Sequence, residues 1–139
     1  MTVAAWLLSA LALAGCASQD LGPSSAELKA QWEAQNVLPK DYKNDLLAFL
    51  RTYLNDPTHV RNATVAEPTL MSVPGGQRYA VCLRYNARDT DGKYAGPKEG
   101  AAVYVSGKLD RFIDVKKEAH ELCKDAIYAP FPELEQLTR

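Results

Sequence analysis

The stretch RYAVCLRYN, residues 78–86, decides the fold class of this chain. Its bulky apolar residues occupy every second position, at Tyr79, Val81, Leu83 and Tyr85. Because side chains of a β-strand point to alternate faces, this period of two predicts a strand with one apolar face. Pro74-Gly75-Gly76 before it predicts a tight turn, since glycine adopts the positive φ that hairpins require. Residues 60–73 supply the partner strand, interrupted at Pro68 by an edge or a bulge.

Towards the C terminus the pattern predicts a second hairpin and then helices. The hairpin strands are Ala101 to Val105 and Leu109 to Val115, joined by the turn Ser106-Gly107. A helix from about Lys116 to Ala126 follows, and Pro132 begins a short last helix.

Towards the N terminus an apolar stripe predicts a helix after Pro39. The stripe consists of Tyr42, Leu46, Phe49, Leu50, Tyr53 and Leu54. Asn55-Asp56-Pro57 ends this helix, because a residue before proline avoids the helical conformation. An aromatic stripe of this kind is more typical of a core than of a ligand site.

An earlier helix is predicted from Ser24 to about Asn36. Ser24 and Glu27 have the spacing of a capping box. Its apolar face holds only Leu28 and Trp32, so the helix either lies at the periphery or docks on a partner.

The composition fits one globular domain of class α+β. The chain has 139 residues, 47% of them hydrophobic, and a formal net charge of -1. That balance excludes a disordered or collagen-like chain and argues against nucleic-acid binding, which needs an extended positive surface. We expect two N-terminal helices, a three- to four-stranded antiparallel sheet and short C-terminal helices, arranged in two layers within residues 25–139.

The first residues form a different kind of segment. Val3 to Ala14 is uncharged and mostly apolar, and Leu13-Ala14-Gly15-Cys16 closes it. As a helix this stretch would cover about 18 Å, short of the roughly 30 Å of a hydrocarbon core, which fits the apolar region of a signal peptide.

The tetrapeptide Leu13-Ala14-Gly15-Cys16 closely resembles the lipobox of bacterial lipoprotein precursors. The resemblance implies that residues 1–15 are a signal peptide and that Cys16 carries diacylglycerol and an N-terminal acyl chain such as palmitate. Residues 16–24 would be the lipidated cysteine and its tether. Ala17 and Ser18 follow the cysteine instead of an aspartate, which in enteric bacteria favours the periplasmic face of the outer membrane.

Two cysteines remain if Cys16 is lipidated. These are Cys82 and Cys123, and an even number of cysteines in an oxidising compartment points to a disulfide. Cys82 lies opposite the main apolar face of its strand, so the bond would fix the C-terminal helix across the second face of the sheet. Reactive thiols or a metal site are the alternative.

The sequence contains no recognisable catalytic, metal or cofactor motif. His59 and His120 are scattered, and Asp89-Thr90-Asp91-Gly92 lacks the later oxygen ligands of a calcium loop. Asp110 and Asp114 are interpreted as surface charge, and His120 as a solvated helix residue. We therefore expect no enzyme, no metal and no cofactor.

The connection from Asn86 to Gly100 is longer than two neighbouring strands need. It carries Arg88, Lys93, Tyr94 and Lys98, and arginine and tyrosine are enriched at binding hot spots. If these residues bind a partner, Arg88 and Tyr94 should be exposed. The alternative is a mobile, solvated hairpin tip.

Two functional hypotheses follow from the sequence. The first is a lipid-anchored cell-envelope module that binds another envelope component, either a protein or peptidoglycan. The mature domain resembles the uncharacterised small envelope lipoproteins of Gram-negative bacteria. Its element order also loosely resembles that of the small lipoprotein subunit of the outer-membrane barrel assembly machine. The second hypothesis is a periplasmic hydrolase, or an inhibitor of an envelope hydrolase.

Overall fold

The computed structural model describes residues 22–139, which form a mixed α+β fold. Its elements, in chain order, are α1 (Ser25–Gln35), α2 (Tyr42–Tyr53), β1 (Asp56–Ala66), β2 (Thr69–Val73), β3 (Gly76–Arg88), β4 (Lys98–Val105), β5 (Lys108–Ile113), α3 (Lys116–Cys123), β6 (Tyr128–Pro130) and α4 (Pro132–Glu135). The α+β class is confirmed. The expected number of three to four strands is wrong, because the sheet has six.

The sheet is antiparallel and is organised around β3. Its strand order is β5-β4-β3-β1-β6, and β2 pairs with the first part of β3. The predicted segment 60–73 forms two strands, β1 and β2, which separate at Glu67 and Pro68 because proline cannot donate a ladder hydrogen bond. β6 has only three residues, too few for a period of two to be recognised.

The main core lies between one face of the sheet and the helices α2 and α4. Leu46 and Leu50 of the predicted α2 stripe are fully buried. Phe131 and Leu134, from the end of the chain, pack in the same core. The leucines of the stripe are therefore core residues, as the spacing predicts, whereas Tyr53 near its end is 40% exposed.

A second core lies on the opposite face, beneath α3, so the expectation of two layers is wrong. Consecutive residues of β3 and β4, such as Val81-Cys82-Leu83, are buried, and a strand buried on both faces needs a cover on both. The Cα atoms of Cys82 and Cys123 are 5.8 Å apart and the two cysteines are joined as a disulfide. The cysteine pair thus lies where the alternation in β3 predicts, across the second face.

The helix α1 lies at the periphery. The capping box is confirmed, since Ser24 Oγ accepts from the Glu27 N–H while the Glu27 carboxylate accepts from the Ser24 N–H. No residue of α1 is buried, and Leu28 and Trp32 are 52% and 44% exposed. Among residues 22–139, no helix has the length and apolar character needed to cross a membrane. The predicted signal peptide, residues 1–15, and Cys16 lie outside the described residues.

Candidate functional site

The connection between β3 and β4 is shorter than the sequence suggests. β3 continues to Arg88 and β4 begins at Lys98, so residues 89–97 make the connection. Arg88 and Tyr94 also form an isolated β-bridge within it. The connection is therefore a folded structure, in contrast to the mobile hairpin tip that was the alternative.

Arg88 is held by an ion pair with the first residue of β1. Its Nε donates to Asp56 Oδ2 at 2.7 Å, and the Arg88 side chain is 29% exposed. Thr58 also donates to Asp56, through its hydroxyl at 2.6 Å and its backbone N–H at 3.0 Å. The Thr58 hydroxyl, with smaller contributions from the Thr58 N–H and Arg88, lowers the pKa of Asp56 to about 2.

Tyr94 is also engaged within the fold. Its hydroxyl donates to the carbonyl of His59 at 2.6 Å, and the Arg61 guanidinium stacks over its ring at 4.0 Å from the centroid. The register between β1 and β3 shifts between Asp56 and Arg61, which indicates a β-bulge. His59 lies in this bulge with a φ of 59°, and its carbonyl is the one that accepts from Tyr94. Arg88 and Tyr94 are only partly exposed, because both side chains tie the connection to β1, whereas binding of a partner by these two residues would require them to be exposed. Lys93 and Lys98 are exposed.

A cleft of about 340 Å³ lies where β4 extends beyond β5. Ile113 at the end of β5 pairs with Ala101, so residues 98–100 of β4 have no strand on that side within the described chain. The cleft is lined by Tyr53, Tyr85, Pro97, Lys98, Glu99, Asp114, Lys116 and His120. The end of α2, the start of β4 and the start of α3 thus converge on it.

Aromatic packing holds one wall of this cleft in place. The Tyr53 ring stacks on Phe49, with centroids 4.9 Å apart, and meets the edge of Phe112 at 5.2 Å. Tyr53 also donates a short hydrogen bond to Asp114, the residue after β5. Burial, followed by this hydrogen bond, raises the pKa of Tyr53. Asp114 is thus bound to α2, where the sequence predicts only surface charge.

Glu99 forms the opposite wall and is the centre of a hydrogen-bond network. Its side chain is 14% exposed and accepts from Arg84 Nε at 2.6 Å and from the Tyr128 hydroxyl at 2.9 Å. His120 Nδ1 lies 3.2 Å from its other oxygen. Burial alone would raise the pKa of Glu99, but these hydrogen bonds outweigh it and the pKa is lowered.

A smaller cleft of about 230 Å³ adjoins the first. It extends towards Arg88 and Asp89, and Tyr53, Tyr85 and Lys98 line both clefts. Of the four loop residues singled out in the sequence, Arg88 and Lys98 therefore meet at one surface, while Lys93 and Tyr94 line neither cleft. We call the two clefts together the sheet-end groove.

The lining of the sheet-end groove suits binding better than nucleophilic chemistry. No serine, threonine or cysteine of the described chain lines it. Glu99 and Asp114, which could act as bases, are already hydrogen-bonded to protein donors. Lys98 and Lys116, and Asp89 in the smaller cleft, have no ion-pair partner among residues 22–139 and remain available to a ligand.

Sequence reasoning missed the groove because its residues come from four separate segments. One indication of the groove was present in the sequence. Arg84 and Glu99 carry opposite charges on neighbouring strands, and the register places them directly opposite each other. No comparable pattern connects Tyr53 with Asp114, 61 residues apart.

A larger groove of about 570 Å³ lies elsewhere, between β2 and the end of α3. Leu70, Met71, Leu122 and Ile127 give it a mostly apolar lining. It offers fewer charged groups to orient a ligand than the sheet-end groove does.

Comparison with known proteins gives no match to this chain, whether with protein-family models, curated proteins or solved structures.

Proposed function

We propose that this protein is a lipid-anchored module of the bacterial cell envelope that binds another envelope component through the sheet-end groove. Cys16 is the proposed attachment site of the lipid, and the periplasmic face of the outer membrane is the proposed location. The proposal keeps both partner classes, an envelope protein or peptidoglycan, and involves no cofactor.

The export part of the proposal is supported by the cysteine pair. Cys82 and Cys123 are buried and joined across the second core. Disulfides persist in oxidising compartments and are rare in the cytosol. This agrees with a signal peptide that ends at Leu13-Ala14-Gly15-Cys16.

The binding part is carried by one observation: two lysines that have no ion-pair partner within residues 22–139 line one cleft with fixed walls. Lys98 and Lys116 line the larger cleft, and Tyr53 and Glu99 are held on either side of it by packing and hydrogen bonds. Preorganised polar groups around a concave surface are typical of a binding site.

The anchor is tested by replacing the cysteine in cells. Cys16→Ala should abolish fatty-acid labelling and release the protein from the membrane fraction, whereas Ser18→Ala should change neither. Labelling of the Cys16→Ala protein would contradict the anchor without affecting the groove.

The binding surface is tested with a photo-crosslinking amino acid placed in living cells. Position 98 lies in the groove, and Lys108 is a matched control, an exposed lysine at the far end of the β4–β5 hairpin. Crosslinks to an envelope protein or to peptidoglycan from position 98 but not from position 108 would support the proposal. Equal yields from both positions would contradict it.

The alternative, a periplasmic hydrolase, is favoured by the acid and base groups that face the same cleft. The purified protein should then release soluble fragments from peptidoglycan or cleave an envelope protein, and Asp114→Asn should stop the reaction. Binding without turnover supports the non-catalytic module.

A further inference from the structure

Three strands of the sheet have an edge that pairs with no other strand of residues 22–139, and these are β5, β6 and β2. Such an edge presents unpaired N–H and C=O groups, and proteins usually protect it with charged residues, proline, a bulge or a short length. β5 carries Lys108, Asp110 and Arg111, and its register against β4 shifts once. β6 has three residues and ends at Pro130. Both of these edges are therefore protected against pairing with another strand.

The edge of β2 has none of these protections. Its sequence, Thr69-Leu70-Met71-Ser72-Val73, contains no charge and no proline, and its register against β3 is regular along its whole length. In an antiparallel strand, alternate residues direct their N–H and C=O groups away from the paired neighbour. No backbone hydrogen bond from the described part of the chain reaches these outward groups of β2. The strand can therefore pair with one more strand.

An apolar groove lies along this edge. It has a volume of about 570 Å³ and separates β2 from residues 125–129. Leu70 and Ile127 line it and are 38% and 88% exposed. In the same row of the sheet, β6 pairs with the end of β1, where Tyr128 lies opposite Ala66. A strand added to β2 would continue this row and cover Leu70.

The two ends of β2 carry opposite charges. At its start, the charged residues that line the groove are Glu67 and Asp125, both acidic. At its end, Arg111 donates to the Pro74 carbonyl, and the Arg78 guanidinium points back towards the turn that leads into β3. None of these four charged side chains has an ion-pair partner among residues 22–139.

The charges of α3 do not alter this difference. The charged residues of α3 beside Pro74 are Lys117, Glu118 and Glu121. Lys117 and Glu118 have opposite charges, and Glu121 pairs with Lys124 at 2.7 Å. The end of β2 therefore keeps the positive charge of its two arginines.

This arrangement of charge selects a second copy of the chain as the partner. When two β2 strands pair antiparallel about Met71, Thr69 of one copy lies opposite Val73 of the other. The acidic start of each strand then lies beside the arginine end of the other strand, so the same attraction occurs twice in a twofold dimer. A strand of another protein would need both kinds of charge in the same order.

We infer that two copies of this protein associate by antiparallel pairing of their β2 strands, which joins the two sheets into one. The twofold axis of this dimer passes beside Met71. The surface is separate from the sheet-end groove, so the inference does not depend on the proposed function.

Sedimentation equilibrium of the purified full-length protein tests this inference, in detergent with several micelles per protein molecule. The wild type should show a monomer–dimer equilibrium. Leu70→Lys should raise the dissociation constant of the dimer at least about tenfold, because each dimer contains the substitution twice and each copy exchanges an apolar contact for an unpaired charge. Leu28→Lys changes an exposed leucine of α1 and should leave the constant unchanged.

A second variant on the same strand guards against a folding defect. Ser72 is exposed, so Ser72→Lys should keep the thermal unfolding curve of the wild type and still weaken the dimer. A wild type that stays monomeric at every concentration would overturn the inference. Equal dissociation constants for Ser72→Lys, Leu28→Lys and the wild type would also overturn it.

Cysteine crosslinking in isolated membranes tests the position of the axis. Residues directly opposite each other in antiparallel strands have Cα atoms about 4.5–5.5 Å apart, within the range of about 4.4–6.8 Å that a disulfide spans. Met71→Cys should therefore give a disulfide-linked dimer on mild oxidation, and Lys108→Cys, on the protected β5 edge, should give none. Absence of the Met71→Cys dimer, or an equal yield from both positions, would overturn the pairing. A crosslink from position 71 to a different protein in place of the dimer would overturn the choice of a second copy.

Discussion

Gly100 lies directly beneath the ring of Phe112. A β-carbon on Gly100 would approach two carbons of that ring, Cε1 and Cε2, to 2.9 Å, closer than real β-carbons come to other atoms. Phe112 in turn packs against Phe49 and Tyr53. The missing side chain on β4 thus sets the position of an aromatic cluster that forms a wall of the sheet-end groove.

We therefore expect Gly100→Ala to destabilise the fold by about 1–3 kcal/mol, the usual cost of overpacking a core. Urea unfolding measures this change. Gly22→Ala is the matched control, because a β-carbon there would have no neighbour within 4 Å, and it should leave the unfolding free energy nearly unchanged. An equal effect of the two substitutions would contradict the packing argument.

Arg88→Ala should lower the free energy of unfolding by about 1–2 kcal/mol, since it leaves the partly buried Asp56 without a charged hydrogen-bond donor. Lys93→Ala, on the same connection but exposed, should stay within about 0.5 kcal/mol of the wild type. Thermal or urea unfolding of the two variants decides whether the connection is part of the folded structure. Similar stability of both would indicate a hairpin tip that is independent of β1.

The pKa of Asp56 predicts an acid-sensitive contribution to stability. The hydrogen bonds from Thr58 and Arg88 lower the pKa of this carboxyl in the folded protein to about 2, from its ordinary value of 3.8. A lowered folded pKa means that the stabilisation is complete above about pH 4 and is lost as the pH falls through 2. The difference in unfolding free energy between wild type and Asp56→Asn should therefore shrink between pH 4 and pH 2 in a series of urea titrations. A difference that is constant from pH 7 to pH 2 would contradict this prediction.

The disulfide should contribute strongly to stability. Cys82 and Cys123 are 41 residues apart, and closing a loop of that length stabilises a fold by about 4 kcal/mol in the chain-entropy model. We expect the double variant Cys82→Ala, Cys123→Ala to lose a large part of this stabilisation. Wild-type protein unfolded in the presence of a reducing agent should have the same free energy of unfolding as the double variant. Stability of the double variant equal to that of the oxidised wild type would contradict the structural role.

Periodic segments were predictable from the sequence, as was the short helix that begins at Pro132, while the short strand β6 was not. The apolar stripe of α2 and the alternation in β3 each extend over many residues. The spacing of the apolar residues therefore predicts both the type of element and its buried face. β6 has three residues and is held by pairing with Thr64, Val65 and Ala66, a tertiary contact that leaves no local pattern. The helix on the second face of the sheet was predictable from the position of Cys82 opposite the larger apolar residues of β3 and its pairing with Cys123.

The candidate site was predictable only in part, because its residues come from separate segments of the chain. An unusually long connection indicated Arg88 and Lys98, which do reach the sheet-end groove. The hydrogen bond from Tyr94 to the His59 carbonyl was not predictable, because enrichment of a residue type at interfaces does not reveal whether an internal acceptor is within reach.

The position of the last helix has a consequence for the order in which the chain can fold. The hairpins β2–β3 and β4–β5 close short loops and can form early, whereas Thr64 of β1 pairs with Pro130 of β6 across most of the domain. Phe131 and Leu134 complete the same core as Leu46 and Leu50 of α2. A chain synthesised from its N terminus therefore lacks a finished core until Phe131 and Leu134 have been added.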